Sequence, residues 1–300
     1  MQHIDIDRLT LVTAQLPHNP RLLVSGNFAT PRLLLDALDK QIPEYRLNML
    51  NAQPGIPERE GITYETAFVG SGMRGRDDLQ YFPARLSLLP RLIRTHTPPD
   101  LVVLHTSTPR AGLVSLGSEV NILPAAIESA RKHGALVIAQ ANPHMPYTFG
   151  DSEIDESQID YLVEVDEPLA ESPSRELSEA TEVIGQRIAS MISDGATLQL
   201  GIGAIPNAVL KGLHNHQGIK IWTEMFSDGV LDLSKRGVLD TSNPITASFI
   251  FGSRELYRWL DKNQQIQMLR TEKTNDPGLI AKQARMTSIN SALQIDLYDQ

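Results

Sequence analysis

A glycine turn in the second half of the chain is the first segment whose residue types could do chemistry. Thr197–Leu200 alternates as a strand does, Gly201-Ile202-Gly203-Ala204-Ile205-Pro206 follows it, and a helix is expected over Asn207–Leu213. Two glycines let the backbone approach a ligand closely, and Pro206 suits the first helical position. The exposed N–H groups of such a turn bind phosphate or stabilise a developing oxyanion. A simple packing turn between strand and helix explains the pattern equally well.

A carboxylate follows the next expected strand. Ile219–Thr223 has the pattern of a short strand, and Glu224 comes directly after it, 21 residues beyond Gly203. Open α/β sheets bind ligands beyond the carboxyl ends of their strands, so Glu224 is expected beside the glycine turn. The spacing leaves three roles open for it: binding a ribose hydroxyl, a solvated loop position, or a nucleophilic or basic carboxylate. Ser227 or Asp228 can cap the helix that follows.

Three other motifs are weaker. The segment Gly70–Gly75 matches a dinucleotide-binding pattern but lacks the helix and the later acidic residue that this pattern requires. It is better interpreted as a glycine-rich turn, although Arg74 could still face a ligand. His214 and His216 have metal-like spacing but lie in a polar turn, so no metal site is predicted. The loop Asn142–Pro146 follows a strand and could line a pocket.

The elements that would position these residues alternate between short β-branched apolar runs and longer segments of helical period. This alternation predicts an α/β protein with mostly parallel strands. Strands are expected near 21–25, 46–50, 64–69, 100–105, 135–141, 159–165, 196–201, 219–223, 246–251 and 266–270. Helices are expected near 31–40, with Pro31 at the first helical position, and near 81–95, 121–133, 174–193, 206–213, 228–236 and 253–261.

The chain divides most simply into two open α/β domains, residues 1–172 and 173–300, which suits its length of 300 residues. A proline-rich and acidic segment, 167–174, has the composition of a linker between them. The second domain holds few strands, and Ser291–Leu297 reads as the start of another strand. That domain is therefore expected to be truncated at the C-terminus, with an uncovered sheet edge.

Composition excludes several classes of function. The chain has no cysteine, which excludes disulfides, thiolate nucleophiles and cysteine-held zinc or iron–sulfur clusters. A formal net charge of −9 argues against a nucleic-acid-binding protein. Residues 151–182 hold 12 of the 36 acidic residues and one basic residue, Arg175, so the rest of the chain has a net charge of +2 (26 basic minus 24 acidic). No signal peptide or membrane-length apolar run is visible, which favours a cytoplasmic protein.

Two segments carry a resemblance to a known family. Gly195–Val209 and Thr223-Glu224-Met225-Phe226-Ser227-Asp228-Gly229 resemble the acetyl-CoA hydrolase/transferase family of CoA-transferases. Shorter matches extend through most of the chain, among them Ser115-Leu116-Gly117, Gly150-Asp151-Ser152 and Ile159–Asp166. The two motifs together are long and specific.

The resemblance implies two related open α/β domains with the active site between them. It implies that Glu224 forms a covalent glutamyl-CoA thioester. It further implies that the turn residues contact coenzyme A or stabilise the reacting carbonyl; these are Gln199, Gly201, Ile202, Gly203 and Ala204. The implied partners are a short-chain acyl-CoA such as acetyl-CoA and a small carboxylic acid, as in acetate metabolism. Coenzyme A acts as a substrate, with no metal or other cofactor, and a homo-oligomer is expected.

Two departures from the family pattern keep alternatives open. Family members run further, with a later glycine-rich segment, whereas this sequence stops just after its match at Ser288–Leu293. An inactive CoA-binding remnant or fragment is therefore the alternative to an active transferase. The loop Thr106–Leu113 differs from the family's usual pattern, so acyl specificity does not transfer. Water reaching the intermediate would make the same site an acyl-CoA hydrolase, and a dinucleotide at the turn is a third possibility that Pro206 disfavours.

Overall fold

An eight-stranded parallel sheet organises the first part of the chain. The protein is represented by a computed structural model, which describes residues 1–172, 177–292 and 294–298. The strands of this sheet are β1 (Gln2–His3), β2 (Arg21–Val24), β3 (Tyr45–Asn48), β4 (Ile62–Thr66), β5 (Leu79–Tyr81), β6 (Leu101–Thr106), β8 (Leu136–Ala141) and β11 (Tyr161–Glu164). They lie in the order β1-β11-β8-β6-β2-β3-β4-β5, and every pairing among them is parallel. Three further strands lie outside this sheet: β7 (Leu113–Ser115), β9 (Phe149–Gly150) and β10 (Glu153–Asp155).

Helices cover both faces of the large sheet because its central strands are apolar on both sides. All six residues of β6 are buried, and its four apolar residues alternate between two apolar clusters. Leu101 and Val103 pack on the side of α2 (Arg32–Asp39). Val102 and Leu104 pack on the other side, against α3 (Leu89–Thr95) and α4 (Leu123–His133). Such continuous apolar runs are typical of parallel strands covered on both faces. The helices of this part are α1 (Thr10–Thr13), α2 (Arg32–Asp39), α3 (Leu89–Thr95) and α4 (Leu123–His133).

The second part of the chain forms smaller parallel sheets. Its strands are β12 (Thr197–Leu200), β13 (Lys220–Ile221), β14 (Met225–Phe226), β15 (Ile245–Ala247), β16 (Phe249–Ile250), β17 (Ile266–Met268) and β18 (Met286–Ile289). The strand orders are β13-β12-β18, β14-β16 and β15-β17-β9. Its helices are α5 (Glu179–Ala189), α6 (Ala204–Gly212), α7 (Asp228–Lys235), α8 (Arg254–Leu260), α9 (Thr271–Thr274) and α10 (Pro277–Ile280).

The two parts are joined by more than one connection. Strand β9, from the first part, pairs with β17 of the second. One apolar cluster includes Val102 from the large sheet together with Leu198 and Phe226 from the second part. The Ser172 N–H donates to the Gly252 carbonyl at 3.0 Å, so this end of the acidic segment packs just before the start of α8.

The prediction of an α/β protein with mostly parallel sheets is confirmed. The division between residues 172 and 173 stays a prediction, because Pro173, Ser174, Arg175 and Glu176 lie outside the described residues. The part of the helix predicted over 174–193 that falls on 174–176 lies there too, and the described helix is Glu179–Ala189. In the portion of the chain that the structure describes, no helix is long and apolar enough to cross a membrane.

Three predicted elements differ from the structure for identifiable reasons. The helix predicted over 81–95 begins only at Leu89, after β5 and a single 3₁₀ turn, because Pro83 disfavours helical geometry at Phe82. The strand predicted over 246–251 is split at Ser248 into β15 and β16. Helix α2 starts one residue later than predicted, with Pro31 just before it.

The end of the sequence also differs from prediction. Residues 291–292 and 294–298 form no strand, and Leu293 lies outside the described residues. Ile295, Leu297 and Tyr298 are exposed and have no strand to pair with. Instead, Met286–Ile289 forms β18 beside β12, a strand that the mixed sequence Met-Thr-Ser-Ile did not indicate.

Candidate active site

Glu224 and the glycine turn lie at the carboxyl ends of neighbouring strands. Strands β12 and β13 pair in parallel with Leu198 opposite Ile221. Gly201 and Glu224 each come three residues after these partners, so they leave the sheet at the same level. The buried Thr223 ties the two ends together, since its hydroxyl accepts from the Leu200 N–H at 2.9 Å. The structure thus brings together the two segments that sequence analysis singled out.

The glycine turn opens directly into α6, two residues before the predicted start at Pro206. Gly203 precedes the first helical residue with φ of +134°, a conformation that residues with a Cβ rarely adopt. Helix α6 begins at Ala204, so Pro206 occupies its third position rather than its first. This placement loses no hydrogen bond, because the first N–H groups of a helix have no partner within it. No side chain in the described part of the chain caps this end, so its N–H groups are available to an anion.

The residues of the turn differ in what they can contact. Ile202 is 43% exposed at the tip, and Ala204 is exposed at the start of α6. Gly201 is bonded on its other side to β18, since its N–H donates to the Ile289 carbonyl at 2.8 Å. The Gln199 side chain is engaged there too, because its Oε1 accepts from Asn290 Nδ2 at 3.0 Å. The assignment of these residues to coenzyme A binding stays a prediction.

The residues after Glu224 build the support for the carboxylate. Met225 and Phe226 are buried as β14 and pair with β16. The Asp228 carboxylate accepts from the Ser253 N–H at 3.1 Å and holds the start of α8. Ser227, rather than Asp228, occupies the position before α7, and its side chain makes no cap there. The motif is therefore mostly a framework that fixes the position of one carboxylate.

Glu224 itself is half-buried and its backbone is fixed by the neighbouring strand. Its carbonyl accepts from the N–H groups of Ser248 at 2.8 Å and Phe249 at 3.0 Å. Burial raises the pKa of the Glu224 carboxyl to about 7, and a hydrogen bond with the Asn275 side chain acts in the opposite direction. A carboxyl with this pKa is ionised in about half of the molecules at neutral pH.

A second carboxyl that sequence analysis missed lies close to Glu224. Glu119, in the loop between β7 and α4, is 2% exposed and pairs through an isolated backbone bridge with Phe249. Burial raises the pKa of Glu119 to about 8; hydrogen bonds from Asn121 and Asn27 lower it, and the charge of Glu224 adds to the rise. A lone glutamate in a loop has no sequence signature, so only the fold could reveal it.

The large sheet supplies the opposite wall of the site. Asn27 and Asn51 follow the adjacent parallel strands β2 and β3, and the Asn51 amide donates to Asn27 Oδ1 at 2.8 Å. The Phe28 ring stacks on Phe251 of the second part, with centroids 4.1 Å apart and planes 16° apart. The carboxyl ends of strands from both parts therefore meet around Glu224.

The weaker sequence motifs lie elsewhere. Gly70 and Gly72 fit closely against the backbone of residues 51–53, as expected of a packing turn, and Arg74 is exposed. His214 contacts Asp232 and His216 contacts the Ile192 carbonyl, each at 3.0 Å. Within the described residues, no group of three histidine, cysteine or acidic side chains is placed to hold a metal ion.

The loop Asn142–Pro146 does line a cavity, of about 360 Å³, between the two parts. Pro143, His144 and Pro146 form one side and helix α8 forms the other, with Arg254 and Tyr257. Asn142 itself is buried and donates to the Glu167 carbonyl at 2.9 Å, so it holds the loop in place. Glu224 and the glycine turn do not line this cavity, and we assign it no part in their chemistry.

Comparison with known proteins identifies relatives of this chain. Residues 58–171 match the acetyl-CoA hydrolase/transferase N-terminal domain, and residues 252–300 match the C-terminal domain of the same name. A 4-hydroxybutyrate coenzyme A transferase of Clostridium kluyveri is 36% identical over the whole chain and 75% of its own length. A succinyl-CoA:acetate/propanoyl-CoA:succinate CoA transferase of Fasciola hepatica is 34% identical, over 95% of this chain and 63% of its own. An acetyl-CoA hydrolase of Neurospora crassa is 31% identical over 34% of the chain.

Solved structures show the same relationship. RipA from Yersinia pestis superposes with a TM-score of 0.91 at 27% identity, over 99% of this chain and 74% of its own. A 4-hydroxybutyrate CoA-transferase from Porphyromonas gingivalis superposes with a TM-score of 0.81 at 31% identity and the same coverage. The chain thus spans roughly three quarters of these structures.

Proposed function

The chain belongs to the acetyl-CoA hydrolase/transferase family, and from this premise we propose that it is an acyl-CoA:carboxylate CoA-transferase with Glu224 as nucleophile. Its substrates are short-chain acyl-CoA, such as acetyl-CoA, and a small carboxylic acid. One observation carries the proposal: a half-buried carboxylate lies level with an uncapped helix N-terminus at the ends of adjacent strands. A nucleophile and a group that stabilises an oxyanion are the two parts that acyl transfer requires.

The first half of the reaction exchanges a thioester for an anhydride. An oxygen of the ionised Glu224 attacks the carbonyl carbon of the acyl-CoA, and the C–S bond breaks with release of the CoA thiolate. The thiolate then attacks the glutamyl carbonyl carbon of this mixed anhydride. The acyl group leaves as a free carboxylate, and Glu224 holds CoA as a thioester.

The second half runs the same steps in reverse with a new acid. The incoming carboxylate attacks the glutamyl thioester, CoA leaves as thiolate, and the thiolate attacks the acyl carbonyl of the new anhydride. In every step one negative charge passes between a carboxylate and the CoA thiolate, so no proton, oxidant or reductant is consumed. The protein's task is to position the groups and to stabilise each oxyanion.

The glycine turn supports that second task. Among the described residues no side chain caps the start of α6, so its first N–H groups can donate to the tetrahedral oxyanion. Each donor of this kind contributes on the order of 3–4 kcal/mol to a transition state in known acyl-transfer enzymes. The helix dipole favours negative charge at the same place, whether it belongs to the oxyanion or to a phosphate of coenzyme A.

Partial burial of Glu224 suits a nucleophile that must avoid hydrolysis. Removing water from a carboxylate raises its pKa, as observed here, and also removes the solvation that makes it a poor nucleophile. Water that reaches the glutamyl intermediate converts the transferase into a hydrolase. We therefore propose transfer as the main reaction and hydrolysis as its side reaction. A homo-oligomer is also expected, and sedimentation measures it directly.

Trapping the glutamyl thioester tests the proposal. The protein is incubated with acetyl-CoA and then treated with borohydride, which reduces a thioester and leaves free carboxylates intact. We expect a mass change on the peptide that contains Glu224, and none in Glu224→Ala. As a matched control, Glu182→Ala, at an exposed position on α5, should label like the wild type. Binding of coenzyme A without labelling or transfer would instead identify an inactive CoA-binding protein.

A further inference from the structure

Two carboxyl groups, one from each part of the chain, meet at the proposed site. Glu119 and Glu224 are 105 positions apart in the sequence. Phe249 lies between their backbones: it bridges with Glu119, and its N–H donates to the Glu224 carbonyl at 3.0 Å. The reaction above gives a role to Glu224 and none to Glu119.

Glu119 is held in a polar pocket built from amides. Its Oε2 accepts from Asn27 Nδ2 at 2.5 Å, and its Oε1 accepts from Asn121 Nδ2 at 3.1 Å. Asn51 extends this chain of amides by bonding to Asn27. Within the described residues, no lysine, arginine or histidine forms an ion pair with Glu119. A carboxyl buried without a cation favours its neutral form.

Three asparagines of this pocket have a backbone conformation that is uncommon for residues with a side chain. Asn27, Asn51 and Asn121 all have positive φ, of 48°, 46° and 30°. Asparagine tolerates this region better than other residues with a side chain, but it still costs free energy and is concentrated at functional sites. Three such residues around one carboxyl fix its direction.

We propose that Glu119 is a positioning residue that stays protonated while Glu224 is ionised, so that the site carries one negative charge. This inference rests on the proposed function. Two carboxylates side by side in a desolvated site repel each other, so the more deeply buried one keeps its proton. The Asn121 amide can serve either state, because its Oδ1 has no partner among the described residues and can rotate to accept the acid proton.

The consequence for catalysis follows from the charge of the substrate. The incoming acid is a carboxylate, and it brings the one negative charge of the second half-reaction to a neutral glutamyl thioester. A neutral Glu119 permits its approach, whereas an ionised Glu119 repels both the acid and the nucleophile. The active form of the pair therefore holds one proton.

The pKa directions agree with this order of ionisation. Burial raises the pKa of Glu224 to about 7 and that of Glu119 to about 8. The charge of Glu224 adds to the rise in the pKa of Glu119. Glu119 is still neutral when Glu224 ionises, so it does not contribute to the pKa of Glu224. Among the described residues, the other groups that act on Glu119 are the amides of Asn27 and Asn121, which do not titrate.

The pH profile of Glu119→Gln tests the inference. In the wild type, kcat/KM for the acyl-CoA, which meets the free enzyme, should rise through about pH 7 and fall above about pH 8, tenfold per unit at the limit. Glutamine is neutral at every pH, so the variant should keep the rise and lose the fall. Glu182→Gln, the same exchange on the exposed face of α5, should keep both limbs. A Glu119→Gln profile that superposes on the wild type would overturn the proposal.

A titration without turnover separates this inference from the proposed function. Carbon-13 NMR of glutamate-labelled protein should contain one side-chain carboxyl that titrates near pH 8 and moves to lower pH in Glu224→Gln. If every carboxyl titrates below pH 6 the inference fails, even where transfer is observed. If the titration is as expected but no transfer or trapping occurs at any pH, the proposed function fails instead. This reading holds even if Glu119→Gln does not fold, because it uses the wild type and Glu224→Gln.

Discussion

Gly201 lies level with Glu224, because each leaves the sheet three residues beyond the paired residues Leu198 and Ile221 of adjacent parallel strands. This register of β12 and β13 brings the turn that leads into α6 to the same end of the sheet as the Glu224 carboxylate. The distance between nucleophile and N–H donors is thus set by the geometry of the sheet itself. Changes that shorten the carboxylate or distort the turn should affect the reaction more than they affect folding.

Glu224→Asp should retain the charge but lose most of the transfer activity. Removing one methylene withdraws the carboxylate by more than 1 Å, and misplacement of that size costs about 100-fold in related situations. Glu224→Gln should abolish transfer, since an amide cannot form the anhydride. Steady-state transfer from acetyl-CoA to propionate measures both variants. Activity of Glu224→Gln equal to that of Glu224→Asp would remove the nucleophile from the mechanism.

The glycine turn and Glu224 could be predicted from sequence because the signal is local. Each follows directly after a short strand, and carboxyl ends of parallel strands share one edge of a sheet. The predicted helix start was wrong by two residues, since Pro206 is tolerated anywhere in the first turn of α6. The strand β18 was missed because its residues lack a clear alternation.

Glu119 could not be predicted, for a physical reason. Its place beside Glu224 depends on the packing of the loop after β7 against β16, which belongs to the other part of the chain. Nothing in Ser118-Glu119-Val120 indicates burial of a carboxyl, and the asparagines around it come from the ends of β2 and β3 and from its own loop. Asp160, in the acid-rich stretch 151–182, forms an ion pair with Arg131, which the charge count alone does not indicate.

Gly203→Ala should impair catalysis through the backbone. The φ of +134° at this position is a region that alanine avoids, and forcing it costs on the order of 1–3 kcal/mol. The turn will shift instead, and we expect a tenfold or greater loss of kcat as the N–H groups move. Gly237→Ala is the matched control, since Gly237 also has positive φ (71°) and no atom within 4 Å of an added Cβ. It should lower stability without changing kcat, and equal losses of kcat in both variants would contradict the role of the turn.

Glu119→Gln should flatten the pH dependence of the free energy of unfolding. The folded pKa of Glu119, about 8, lies above its ordinary value of 4.5. The stabilisation linked to its proton is therefore fully present below pH 4.5 and is lost as pH rises through about 8, at roughly 1.4 kcal/mol per pH unit. Urea denaturation across this range should show the wild type losing stability relative to Glu119→Gln. Parallel curves for the two proteins would show that Glu119 has an ordinary pKa.

The stack between Phe28 and Phe251 should couple the two walls of the site energetically. The rings are parallel within 16° at 4.1 Å, and an aromatic pair contributes about 0.5–1.5 kcal/mol beyond its buried area. A double-mutant cycle with Phe28→Leu and Phe251→Leu, measured by urea denaturation, should give a coupling of that size. Tyr81→Leu, an exposed aromatic position on β5, should show no coupling with Phe28→Leu.

Because Phe28 follows Asn27 directly, Phe28→Leu should also move the high-pH limb of the transfer profile, whereas Tyr81→Leu should leave it in place. A zero coupling would mean that the rings touch without holding the two parts of the chain together.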